Sequence, residues 1–95
     1  MNARPMNDRI LLREIKDEKK GVIIMPGIHE DTMIKCEVVA VGRGRVTDSG
    51  EIVPVDTKIG SVVMIDRRST IAVKIEDEDL MLIEEAAILL ICKEA

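Results

Sequence analysis

Met33-Ile34-Lys35-Cys36-Glu37-Val38-Val39-Ala40-Val41-Gly42 alternates as a strand with one covered face does. Ile34, Cys36, Val38 and Ala40 fall on one side, and Lys35 and Glu37 begin the other. Upstream, Arg9 to Ile15 reads as a first strand entered through the Pro5-Met6-Asn7-Asp8 turn, after which charge dominates from Lys16 to Lys20. Residues 16–32 are therefore a long excursion between two strands. Downstream, Gly42-Arg43-Gly44 ends the strand. Arg45-Val46-Thr47 can then pair with Glu51-Ile52-Val53 across Asp48-Ser49-Gly50, with glycine at the left-handed position and Pro54 stopping the second arm. Val62 to Ile65 is an apolar run suited to a buried strand, and Ile71, Val73 and Ile75 alternate with Ala72, Lys74 and Glu76, which adds two more core strands. From Leu80 to Cys92 a helical stripe and two short strands broken at Glu84-Glu85-Ala86 both fit, and the strands are preferred. No internal repeat is present. Short strands between frequent turns predict an all-β fold, a small barrel or sandwich, in a single domain spanning residues 1–95.

Composition agrees. Isoleucine (14) and valine (10) outnumber leucine (6), and branching at the β carbon suits a pleated sheet better than a helix. With no Phe, Tyr or Trp, the core is built from aliphatic side chains alone, and a chain of 95 residues hides only about 60 to 70% of its unfolded surface. Oligomerisation would supply the burial that such a core lacks. A net charge of −4 without aromatic rings argues against nucleic acid, which requires basic tracks and favours stacking surfaces. No stretch approaches the roughly 20 apolar residues of a spanning helix, so no membrane partner is expected. Met1 to Ala3 lead straight into Arg4-Pro5 without a leader pattern. The chain thus reads as cytoplasmic, an organelle matrix being the other compartment that fits. Cys36 and Cys92 form no Cys-x-x-Cys pair and read as two buried thiols in a reducing compartment.

Catalytic chemistry finds little support. His29 is the only histidine, and no Cys, Asp or Glu joins it at zinc-site spacing. It reads as an ordinary loop residue, which leaves a nucleophilic triad without an oriented base. Gly42-Arg43-Gly44 lacks the third glycine, the Lys-Ser/Thr ending and the following helix of a phosphate loop. Glu76-Asp77-Glu78-Asp79 lacks the spaced ligands and turn glycine of a calcium loop, and reads as a solvated turn. No metal, cofactor or enzymatic activity is expected.

One stretch stands out within the excursion: Gly21-Val22-Ile23-Ile24-Met25-Pro26-Gly27, apolar residues inside a charged connection closed by proline and glycine. Pattern alone leaves two readings open. Either Ile23 and Ile24 form a short strand on the domain's own core, or they are held out for a partner. Length favours the second, because connections beyond about 12 to 15 residues are usually binding or disordered segments.

Arg4-Pro5-Met6-Asn7-Asp8-Arg9-Ile10 resembles the opening motif of the GroES-type co-chaperonin family, and Gly21-Val22-Ile23-Ile24-Met25-Pro26 resembles that family's mobile loop. In the same order, Glu37 to Gly42 resembles the next strand, Gly50 with Pro54 the roof hairpin (about 43–55), and Val55-Asp56 through Val63 the return into the barrel. The resemblance covers nearly the whole chain. It implies a small irregular β-barrel with a mobile loop over about 16–33, assembled as a homo-oligomeric ring of seven. The ring would act as a lid on a nucleotide-bound GroEL-type chaperonin and enclose substrate proteins while they fold. The nucleotide would belong to the partner, not to this chain. Ile23, Ile24 and Met25 would enter the chaperonin, with Gly21, Val22, Pro26 and Gly27 shaping the loop. Neighbouring subunits would pair first and last strands, Arg9 to Ile15 with Ile88 to Cys92, through Ile10, Leu11, Leu12, Ile88, Leu89, Leu90 and Ile91.

Three positions depart from the family pattern: Val22 for the second loop glycine, Met25 for leucine, and Asp66-Arg67-Arg68-Ser69 for a glycine-rich turn. The rival reading is a β-barrel ring scaffold or protein-interaction module without a chaperonin partner, in which residues 21–25 serve as core. A nucleic-acid-binding barrel is a weaker third.

Overall fold

A computed structural model of the chain describes residues 3–15 and 33–95. Eight strands follow in order: β1 (Arg9–Glu14), β2 (Met33–Val41), β3 (Arg45–Val46), β4 (Ile52–Val53), β5 (Val62–Asp66), β6 (Ile71–Ile75), β7 (Glu78–Glu84) and β8 (Leu90–Lys93). Two single 3-10 turns, Arg67–Ser69 and Glu85–Ala87, link β5 to β6 and β7 to β8. No helix among the described residues is long and apolar enough to cross a membrane. The region from Leu80 to Cys92 is resolved as strand, turn, strand, with the break where Glu84-Glu85-Ala86 predicts it.

Six strands form one antiparallel sheet in the order β6-β7-β1-β2-β5-β8, and β3 and β4 form a separate hairpin. The all-β expectation holds, and among the described residues β6 and β8 are the two edges and do not pair, so the hydrogen-bonded sheet is not closed.

The core lies on one face of this sheet. Ile10 and Leu12 of β1, Ile34, Cys36 and Val38 of β2, Val63 and Ile65 of β5, and Met81 and Ile83 of β7 form a single buried cluster. The alternation along β2 holds as far as Val38 and then breaks. Leu11 faces Ala40 whereas Leu12 faces Val38, which leaves Val39 as the extra residue of a β-bulge. Beyond it the faces exchange. Val41 packs against the core, and Ala40 does not take the place that simple period-two alternation assigns it.

The hairpin's left-handed glycine is as expected, with Gly50 at φ 88°. The β6–β7 connection is a two-residue turn in which both Glu76 (φ 51°) and Asp77 (φ 65°) are left-handed, the conformation that matches strand twist in a tight hairpin. The acidic run is therefore a turn.

Two further expectations are corrected. β6 is not a core strand: Ile71 is 63% exposed and no β6 residue is fully buried, because no other described strand pairs with its outer edge. The cysteines also differ from each other. Both are free, but Cys36 is buried and Cys92 is exposed on β8. Burial pushes the Cys36 thiol from 9.0 up to about 12, with the nearby Glu14 charge adding to the effect. A raised thiol pKa contributes stability that is complete below pH 9 and is lost as pH rises toward 12. Titration of the native protein with a thiol reagent at pH 8 is expected to label Cys92 rapidly and Cys36 only on unfolding. Fast labelling of both would contradict the burial of Cys36.

Candidate functional site

Residues Ile23, Ile24 and Met25, with Gly21, Val22, Pro26 and Gly27, lie outside the described residues, as does His29. The sheet does position the two ends of that segment. β1 and β2 are antiparallel neighbours, with Glu14 opposite Cys36, and the Ile15 amide donates to the Lys35 carbonyl at 2.9 Å. The chain therefore departs from and returns to the same end of the same strand pair.

The β5–β6 turn braces that end. Met33 pairs with Asp66, and Arg67 donates through Nη2 to Glu14 Oε2 at 3.0 Å. Asp66 in turn caps the backbone amide of Arg68 at 2.9 Å. Arg67 thereby ties the last residue of β1 to the turn. Nearby, Arg13 reaches both Glu37, at 3.3 Å, and Glu78. Its hydrogen bond holds the Glu78 carboxyl below the usual carboxylate range, so the small contribution of this solvated pair is present at neutral pH and fades as pH falls.

The residues expected at a subunit contact fall into two groups. β1 cannot offer the open edge expected of it, because β2 occupies one side and β7 the other. Ile10 and Leu12 are fully buried in the chain's own core, and Leu11 is buried on the opposite face. Position in the sheet order decides this, and periodicity within one strand carries no such information. Among the described residues, β8 does have an unpaired edge. Leu89 and Ile91 are exposed there, while Ile88 packs partly against the core. Across the sheet, beside the other edge, Pro5, Met6, Leu11, Val73, Ile75 and Leu82 line an apolar groove of about 390 Å³. The alternating residues of β6 carry the only sequence signal for this groove, and it is the same signal a core strand gives.

The opposite end of the β1–β2 pair bears the β3–β4 hairpin. Gly44, at φ 133°, donates its amide to the Asn7 carbonyl at 2.8 Å, and a Cβ there would lie 2.1 Å from the Val53 carbonyl oxygen. Only glycine permits this approach. The chain leaving the hairpin is held by Glu85, whose Oε2 accepts from the Asp56 amide (2.8 Å), the Thr57 amide (2.9 Å) and the Thr57 hydroxyl (2.8 Å). In the sequence Glu85 is one acid among several. Glu85→Ala is expected to cost about 1 to 3 kcal/mol, read as a lower denaturation midpoint at unchanged m-value, with Glu85→Gln keeping part of the loss back. An unchanged midpoint in the alanine variant would remove Glu85 from this role.

The described sheet thus has the two ends of the 16–32 segment at one end of β1–β2 and the β3–β4 hairpin at the other. The sequence matches the family model described as Chaperonin 10 Kd subunit over residues 2–92. It is 38% identical to "Co-chaperonin GroES" of Alcanivorax borkumensis, over 99% of this chain and 100% of that one. It is 41% identical to "Co-chaperonin GroES" of Francisella tularensis subsp. novicida, over 94% and 96% respectively. The chain belongs to the chaperonin 10 family, a family of non-enzymatic co-chaperonins.

Proposed function

We propose that this co-chaperonin forms a ring, as its family's heptamers do, that binds a GroEL-type chaperonin and closes the chamber in which substrate proteins fold. The observation that carries this reading is the opposed placement of the two excursions. Residues 16–32 leave one end of β1–β2, and the hairpin sits at the other. Segments presented at one rim would reach the chaperonin while the hairpins close the far side. Ile23, Ile24 and Met25 are the contact residues, and Gly21, Val22, Pro26 and Gly27 set the backbone that presents them. The chain needs no cofactor of its own, since the adenine nucleotide is held by the chaperonin. Two free thiols fit a reducing, cytoplasmic site of action.

A ring requires head-to-tail contacts between two different surfaces. The open edge of β8, with Leu90 and Ile91 flanked by Ile88 and Leu89, supplies one of them. The groove floored by Leu11 supplies the other, with Ile10 and Leu12 supporting it from the core side. Burial of three apolar side chains yields about 5 to 9 kcal/mol gross per segment, of which ordering a chain of this kind returns at least 2 to 5. Single contacts are thus weak, and firm binding comes from copies engaged at high effective concentration on one ring.

Co-sedimentation with a GroEL-type chaperonin ring, with and without adenine nucleotide, tests the reading. Nucleotide-dependent binding by the wild type and its loss in Ile24→Asp are expected. Binding that survives Ile24→Asp would overturn the choice of contact residues, and binding indifferent to nucleotide would overturn the mechanism.

A further inference from the structure

The β3–β4 hairpin is too small to be self-sufficient. It has two paired residues on each side, and Val46, Ile52 and Val53 remain 43 to 55% exposed. Two-stranded hairpins without a covered face are marginal in water. Its charges are also divided. The turn carries Asp48 and Glu51, and the root carries Arg4, Arg43 and Arg45. None of these five side chains takes part in an ion pair with any other described residue.

The turn is preorganised without use of its carboxylates. The Thr47 amide donates to the Glu51 carbonyl at 2.8 Å, the Gly50 amide to the Thr47 carbonyl at 2.9 Å, and the Glu51 amide to Thr47 Oγ1 at 3.2 Å. Both carboxylates therefore project from a fixed frame at low ordering cost. The root forms a matching receptacle, a cavity of about 180 Å³ flanked by Arg4 and Arg43 and floored by Pro5, Met6, Val46 and Ile52. Paired strands hold the tip away from its own root, so one chain cannot satisfy both.

We propose that the acidic tip of each hairpin, Asp48 to Glu51, docks in the arginine-flanked cavity at the root of the next copy's hairpin, so that the hairpins lock head to tail around the ring. Charge complementarity selects a second copy of this chain as the occupant. The tip brings two carboxylates to the two guanidiniums that line the cavity, and its approach covers Val46 and Ile52. Each copy gives one tip and receives another, and the contact closes with the ring. The inference rests on the ring reading and adds to it a charged contact separate from β8.

Two versions of the full chain, Asp48→Cys and Arg43→Cys, each with Cys92→Ser, are co-assembled and mildly oxidised. Mixed rings are expected to give several-fold more disulfide-linked dimer than rings of either version alone. A yield equal to the mean of the two pure rings overturns the proposal. Independently, Asp48→Arg with Glu51→Arg is expected to raise the concentration at which rings dissociate by roughly tenfold, with recovery when Arg4→Glu and Arg43→Glu are added. No recovery in the fourfold variant counts against the pairing. A wild type that remains monomeric by analytical ultracentrifugation overturns the ring reading along with this one, whereas rings without the mixed cross-link overturn this one alone.

Discussion

A ring in which every copy carries Ile24→Asp is expected to show no measurable binding to a GroEL-type chaperonin, a loss much larger than one side chain normally causes. Removal of one buried isoleucine forfeits about 1.5 to 3 kcal/mol, and a carboxylate forced into an apolar groove adds a desolvation cost. At 1.4 kcal/mol per factor of ten, each altered segment loses roughly tenfold to a hundredfold or more. Because copies on one ring bind together, these factors multiply. Mixed rings make the point quantitatively. The logarithm of the affinity is expected to fall in proportion to the number of Ile24→Asp chains, as read by mass-resolved ring composition in bound and free fractions. A fall that saturates after one or two altered copies would mean that few segments engage at once.

Ile65→Ala is expected to be the most damaging of the simple core truncations. Ile65 is fully buried in β5, opposite Ile34 of β2, and belongs to the only core cluster found among the described residues. Truncation to alanine at such sites costs about 2 to 5 kcal/mol, against a total of roughly 5 to 15 for a domain. At roughly 4 to 8 °C per kcal/mol, the melting temperature is expected to fall by about 8 to 40 °C. The proposed ring would stabilise the folded chain by mass action, so melting is compared at several protein concentrations. Ile65→Val, which removes one methylene, is expected to cost about 0.5 to 1.5 kcal/mol. A loss below about 1 kcal/mol for the alanine variant would mean that the site collapses around the smaller side chain.

The strands were legible because period-two alternation and Gly/Pro punctuation are local signals. Met33–Val41 and the break between Glu84 and Ala87 follow from them directly. What escaped depends on neighbours. Val39 bulges without a glycine to mark it, since the slip is set by pairing with Leu11 and Leu12. Ile71, Val73 and Ile75 have a core strand's pattern, but pattern identifies an apolar face and not what covers it. The same limit applies to Arg9–Glu14, whose central position leaves no edge for a neighbour. Glu85 could not be told from Glu84 in the sequence, because its role depends on two amides nearly thirty residues away. Ile23, Ile24 and Met25, the proposed contact residues, were conspicuous for the opposite reason, being apolar where their charged surroundings gave no local cause.

The arrangement at the end of β1–β2 has a mechanical side. Both ends of the 16–32 segment continue directly into adjacent strands, and these are flanked by β7 and β5. Antiparallel hydrogen bonds run perpendicular to the strands. A pull on the segment along those strands loads the ladders to β7 and β5 in shear, so that many bonds share the force instead of parting one after another. Under the proposed engagement of this segment by a chaperonin, a conformational change in that partner would be delivered to the whole sheet as a push or a tug along its length, with the subunit answering as a lever.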